Sequence, residues 1–123
     1  MLDVFLDNID LSPDIGAIVS LHAVSAVASQ LVSNVPLTLL AIPVLEQVPG
    51  ELLWVSLAAG ATLAGNITLI GSVANLIVAE GASREGIRLP FGEFLRAGLL
   101  VGALTMAASI GILALEWQLG FLR

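Results

Sequence analysis

From Ile15 to Val32 nearly every position is apolar or small, and the run is interrupted only by His22, Gln30 and a few serines. Ser33-Asn34-Val35-Pro36 breaks it, and a second apolar run follows from Leu37 to Leu45. A spanning helix needs about 20 residues, so the first run is close to that length and the second is too short. Two helices either side of a polar, proline-containing turn predict a re-entrant hairpin over residues 15–46. Proline suits the first turn of the returning helix, where its missing N–H costs nothing. Ser33 and Asn34 stand just before it, where side chains can cap freed amides.

Glu46-Gln47-Val48-Pro49-Gly50-Glu51 reads as a polar turn, and a long apolar stretch then runs over residues 52–79. Its centre, Ala64-Gly65-Asn66-Ile67-Thr68-Leu69-Ile70-Gly71-Ser72, is poor material for a continuous helix. The pattern predicts a broken helix: one half to about Ala64, an unwound middle, and a second half from about Ser72. Unwound backbone is tolerated at membrane depth only where it lines a cavity or is buried in protein, so this location points to function. Glu80, Arg84, Glu85, Arg88, Glu93 and Arg96 concentrate the charge of the second half of the chain. Within that stretch, residues 90–96 read as a short amphipathic surface helix. Residues 97–116 then form a last span. Trp54 and Trp117, near the ends of apolar stretches, suit an interfacial aromatic belt.

Composition turns these apolar runs into a membrane assignment. Of 123 residues, 58% are hydrophobic and 11% charged, and the mean hydropathy is +1.03. A soluble domain carries roughly 25% charged residues, so lipid must replace water over most of this surface. The expected fold class is an all-α membrane protein, one membrane region over residues 1–123 built from hairpin, broken helix, surface helix and last span. The net charge of −6 excludes the basic patch that nucleic-acid binding needs. Asp3, Asp7, Asp10 and Asp14 read as a solvated acidic edge. Cysteine is absent, which removes disulfides, thiolate nucleophiles and cysteine-based metal sites.

Orientation follows from the arginines. Arg84, Arg88 and Arg96 place the 81–97 loop in the cytoplasm. The acidic edge, the 46–51 turn and the C-terminus then face outside a multi-pass inner (cell) membrane protein.

Two polar clusters carry the candidate chemistry: Ser33-Asn34-Val35-Pro36, and Asn66-Ile67-Thr68 through Gly71-Ser72 to Asn75. No side chain in them is ionisable. Each offers hydroxyl and amide oxygens, carbonyls from a helix end and N–H groups from a helix start. Carbonyl ends suit a cation and helix N-termini suit an anion, and discontinuous helices are how many secondary transporters build a joint site. The expected cation ligands are Ser33, Asn34, Asn66, Thr68 and Gly71; the expected anion contacts are Ser33, Asn34, Ser72 and Asn75. Neutral oxygens suit sodium as the coupling ion, with proton coupling the open alternative, and no other cofactor or metal is expected. His22 has no second histidine or carboxylate near it in sequence and reads as a packed or pore-lining side chain. No hydrolase, phosphate-loop or nucleotide-binding spacing is present, so no enzyme is expected.

Ser33-Asn34-Val35-Pro36, the run Ala64-Gly65-Asn66-Ile67-Thr68-Leu69-Ile70-Gly71-Ser72-Val73-Ala74-Asn75-Leu76-Ile77-Val78, and Phe91-Gly92-Glu93-Phe94-Leu95 before the last span together resemble the ion-transporter superfamily. That group includes divalent-anion:sodium symporters and arsenite permeases. The resemblance covers about Val24 to Leu115. It implies inverted repeats, each with a re-entrant hairpin and a broken helix, and a scaffold that forms homo-oligomers. It also implies that the hairpin tip, through Ser33 and Asn34, contributes to sodium and carboxylate binding. The chain departs from the symporters at Val35, where they carry threonine, and in Ser72-Val73-Ala74-Asn75, where only Asn75 matches their pattern. The Gly65-to-Gly71 run is closer to the arsenite-permease branch.

Such carriers contain two repeats, whereas this chain shows the elements of one. The expectation is therefore the C-terminal portion of a secondary anion transporter, embedded in lipid and completed by an N-terminal repeat or a second chain. It would carry a small inorganic or carboxylate anion. The alternative is a small helix-bundle interaction protein without transport activity.

Overall fold

The computed structural model describes residues 12–122, and within them the secondary structure is helical. Helix α1 is Ile15–Val32, α2 Asn34–Leu45, α3 Leu52–Ala64, α4 Val73–Arg84 and α5 Phe91–Gln118, with a 3₁₀ turn at Leu69–Gly71 between α3 and α4. Helices α1 and α5 are long and apolar enough to cross a membrane. Asp14 caps α1 by accepting the Ala17 N–H at 2.8 Å, which gives the last acid of the expected acidic edge a local role. Asp3, Asp7 and Asp10 lie outside the described residues.

A single residue, Ser33, separates α1 from α2, with φ 66° and ψ 161°. This is backbone that non-glycine residues rarely adopt. It turns the chain back on itself: Ala17 and Leu21 of α1 share a buried cluster with Ala41 and Leu45 from the far end of α2. Leu53 and Leu57 of α3 complete that cluster. Helix α3 therefore starts beside the start of α1 and runs alongside it. Gly60 makes the approach close, because a Cβ there would lie 3.1 Å from Ser25 Oγ and 3.2 Å from the His22 Cα. Small residues at helix contacts are the usual means of close packing in lipid, where apolar burial supplies little drive.

Helix α5 returns antiparallel to α1 and α3. Its Leu113 packs in a second cluster with Ile18 and Leu52, and Ser109 meets His22 Nε2 at 3.0 Å. His22 Nδ1 lies 2.8 Å from the Ile18 carbonyl. A carbonyl only accepts, so Nδ1 carries the proton, and in the neutral ring Nε2 accepts from Ser109. His22 is thus a buried, fully bonded packing residue between α1 and α5.

Two expected boundaries differ. Residues 90–96 are not a separate surface helix; they are the opening of α5, which runs unbroken for 28 residues, about 42 Å at 1.5 Å per residue. Pro90 stands at its N-cap and Glu93–Ala97 holds no helix-breaking residue, so charged first turns and apolar span fuse. The second half of the 52–79 stretch continues to Arg84, where Glu80, Ala82 and Arg84 favour helix and an exposed Glu80–Arg84 pair at 3.2 Å spans one turn.

Trp54 packs on the first cluster and Trp117 on the second, both at the end of the bundle where α1 starts. The arginine-bearing 84–96 segment leads into the opposite end, where α5 begins.

Candidate functional site

Helix α3 reaches the level of the hairpin tip and stops at Ala64. The chain then takes eight residues, 65–72, to begin α4. Such a gap exposes carbonyls at the end of α3 and amides at the start of α4, and each must find a partner. Side chains supply many of them. Asn75 Nδ2 donates to the Gly65 carbonyl at 2.9 Å and to the Thr68 carbonyl at 3.1 Å. Thr68 Oγ1 accepts the Gly71 N–H at 2.9 Å, fixing the 3₁₀ turn. Ser72 caps α4, its Oγ accepting the Ala74 N–H at 3.3 Å.

The gap is tied to the hairpin by Gln30, near the end of α1. Gln30 Nε2 donates to the Ala64 carbonyl at 2.9 Å and to Ser29 Oγ at 3.1 Å. Its Oε1 accepts from Thr68 Oγ1 at 2.6 Å. Gly71 packs against the same amide, and a Cβ there would lie 2.8 Å from Gln30 Oε1. On its other side, the gap rests on α5. Gly98 faces the Asn66 and Ile67 carbonyls too closely for any Cβ, and Gly102 faces Ile67 Cγ1. Gly98 lets α5 lie against main chain, and Gly102 lets it lie against the Ile67 side chain.

Of the sequence-expected residues, Thr68, Gly71, Ser72 and Asn75 gather at this gap. Asn66 is exposed there and its side chain makes no hydrogen bond among the described residues. Ser33 and Asn34 sit three and four residues beyond Gln30, at the same end of the bundle. Their side-chain bonds stay within the hairpin. Asn34 Oδ1 accepts the Val35 N–H at 3.0 Å and the Ser33 hydroxyl at 3.4 Å. Ser33, although it is the cap position of α2, makes no side-chain capping bond; its unusual backbone directs the hydroxyl at Asn34 instead.

Two consequences bear on chemistry. Both N–H groups of the Asn75 amide face carbonyls, so the group it has left to offer is Oδ1, an acceptor. Asn34 is the reverse: its oxygen is engaged and its Nδ2 donors are uncommitted. Sequence reading passed over Gln30. The signal that could have found it was its place in the α1 apolar run, one turn before the tip, where a long amide can reach a neighbouring helix end.

An all-helical membrane protein with two helices able to span a bilayer, and a polar seam where α1, α3 and α4 meet, is the class this arrangement defines. The human P protein is 44% identical to the chain over 92 residues, covering 68% of it and 11% of the P protein. A Dictyostelium discoideum protein bearing the name transporter arsB is 40% identical over 90 residues, covering 72% of the chain and 16% of that protein. A Synechocystis protein named as a transporter is 31% identical over 116 residues, covering 76% of the chain and 26% of that protein. No family model matches the chain, and no solved structure matches it. The chain belongs to the ion-transporter superfamily, on the side of its arsenite-permease-like members. It spans between 11% and 26% of the length of these relatives.

Proposed function

We propose that this chain forms one half of the transport site of a secondary anion carrier, coupled to a cation for which sodium is the fitting ion. The observation that carries the proposal is the convergence of three helix ends on one seam: α1 through Gln30, α3 through Ala64 and Gly65, and α4 through Ser72 and Asn75. Seams of this kind supply carbonyl oxygens and helix N-termini side by side. In this reading the cation takes oxygens from the hairpin tip (the Ser33 hydroxyl, and Asn34 Oδ1 once the Ser33 proton turns away from it) and the gap (Asn66, Thr68 and the Gly71 main chain). The anion takes the start of α4 at Ser72 together with donors from the tip, of which the uncommitted Asn34 Nδ2 is the best placed. Asn75 contributes as the brace of the gap and through Oδ1.

The strained Ser33 backbone supports a functional tip, since such conformations persist where the surroundings impose them. Helix α4 supports a missing partner. It buries none of its residues, and Val73, Leu76, Ile77 and Val78 are exposed along it. We assign that surface to the mirrored repeat, on further chain or on a second subunit, with the bilayer covering the rest and the complete carrier a homo-oligomer. The short hairpin entering and leaving on one side makes it re-entrant, with the 84–96 segment cytoplasmic and the tryptophan end outside. The test is anion uptake by vesicles holding the complete carrier, in sodium against choline. Asn34→Ala and Asn66→Ala should each reduce sodium-driven uptake at least tenfold; uptake unchanged by both would overturn the assignment.

A further inference from the structure

The assigned ligands leave Gln30 unused, yet it carries the hydrogen bonds between α1 and the end of α3. The two groups it holds are oxygens of the type sodium takes as ligands. The Ala64 carbonyl accepts from Gln30 Nε2 at 2.9 Å and also from the Ile67 N–H at 3.1 Å. A carbonyl has two lone pairs, so both are occupied and this oxygen can turn to a cation only if one donor leaves. The Ile67 N–H belongs to the main-chain turn that ends α3 and is fixed by it. The Gln30 amide is on a flexible side chain and is the donor free to go. Its departure also breaks the bond in which Gln30 Oε1 accepts the Thr68 proton at 2.6 Å, the second tie between α1 and the gap.

We propose that Gln30 is a latch that competes with the coupling cation for the Ala64 carbonyl. With no cation bound, the amide satisfies this carbonyl, accepts from Thr68 and clamps the hairpin arm to the gap. Cation binding displaces the amide and frees the last turn of α1, and with it the tip at Ser33 and Asn34, to move relative to the gap and α4. The latch rests on the cation-site reading above. It adds a sign that reading does not contain: removing Gln30 should strengthen cation binding, because the cation no longer displaces a competitor.

The chain has no cysteine, so two introduced cysteines label it uniquely. Leu31→Cys on α1 and Ile77→Cys on α4 use side chains 80% and 66% exposed. Spin labels there report the α1–α4 separation in the full chain, reconstituted in phosphatidylethanolamine–phosphatidylglycerol vesicles and titrated with sodium chloride against choline chloride. With Gln30 present, the distance distribution should be narrow in choline and broaden or shift with sodium. Gln30→Met has similar length and no hydrogen-bonding amide. It should be broad already in choline and should lower the sodium midpoint about tenfold, as expected if the closed latch held about nine-tenths of the molecules. Gln30→Asn withdraws the amide by one methylene and should lower the midpoint too, and it decides the matter if the Met variant loses helicity. A midpoint unchanged or raised in the folded variants overturns the latch while leaving the cation site standing. A distance indifferent to sodium with Gln30 in place overturns the cation site, and the latch with it.

Discussion

Asn75, on the first turn of α4, donates to the Gly65 carbonyl at 2.9 Å and so binds the start of one helix to the end of another across the eight-residue gap. The same amide nitrogen holds the Thr68 carbonyl at 3.1 Å. Asn75→Asp keeps the size and removes both donors, turning a carboxylate oxygen toward two carbonyl oxygens. Leaving such groups unpaired costs about 1–3 kcal/mol. The variant should lose stability by about that much in detergent unfolding. Amide exchange should rise selectively over residues 65–72, with α1 and α5 unaffected. Uniform exchange across all helices would show that Asn75 has no special hold on the gap.

The contact of α5 with the gap gives a graded series. A Cβ at Gly98 would collide with the Asn66 and Ile67 carbonyls, which are main chain and cannot swing aside; a Cβ at Gly102 would meet Ile67 Cγ1 at 2.7 Å, the body of a side chain. Gly111, on the same helix, has nothing within 4 Å. Gly98→Ala should therefore destabilise most, by about 1–3 kcal/mol, Gly102→Ala less, and Gly111→Ala should be neutral or slightly stabilising through helix propensity. The order is read from unfolding midpoints in one detergent. Gly98→Ala as stable as Gly111→Ala would mean that α5 does not rest on the gap.

This series also marks what the sequence made legible. Composition and run length were enough for the membrane class, since no water-facing shell can be assembled from so few charges. The positions of the interruptions at Ser33 and at 65–72 were readable because Pro36 and the Gly65–Gly71 pair oppose a continuous helix. The end of α4 and the fusion of 90–96 into α5 were not. Charge was read there as a boundary, whereas Glu and Arg are good helix formers and nothing in Glu93–Ala97 stops the helix. Within the site, hydrogen-bond direction escaped the sequence. Asn34 and Asn75 are the same residue type, yet the backbone carbonyls beside Asn75 take its donors while the Val35 amide beside Asn34 takes its oxygen. Gln30 escaped because its partner, the Ala64 carbonyl, is 34 residues away, and no local pattern encodes that meeting.

Ser33 separates two effects that usually travel together. Its backbone at φ 66°, ψ 161° costs about 1–3 kcal/mol for a non-glycine residue, while its hydroxyl is one of the proposed ligands. Ser33→Gly should stabilise the fold by relieving the backbone and lower sodium-driven uptake by removing the hydroxyl. Ser33→Ala should lower uptake equally with stability little changed. Stability measured in detergent and uptake measured in the complete carrier should thus diverge for glycine. If Ser33→Gly leaves uptake intact, the hydroxyl is not a ligand and the residue matters only as a turn.

His22 and Ser109 test whether α5 and the hairpin move as one body. The Nε2–Oγ bond of 3.0 Å links them midway along α1, and the Nδ1–H bond to Ile18 holds the ring in the orientation that bond requires. In membrane proteins such bonds average about 0.6 kcal/mol and reach about 1.7, so the coupling between His22→Phe and Ser109→Ala in a double-mutant cycle should fall in that range. Phenylalanine retains a ring of similar size, which limits the cavity contribution to the single-mutant term. If the hairpin arm shifts against α5 when a cation binds, the coupling should shrink in saturating sodium relative to choline. An equal coupling in both salts would place α5 with the hairpin as a single moving unit and locate the sliding surface elsewhere, at the exposed apolar face of α4.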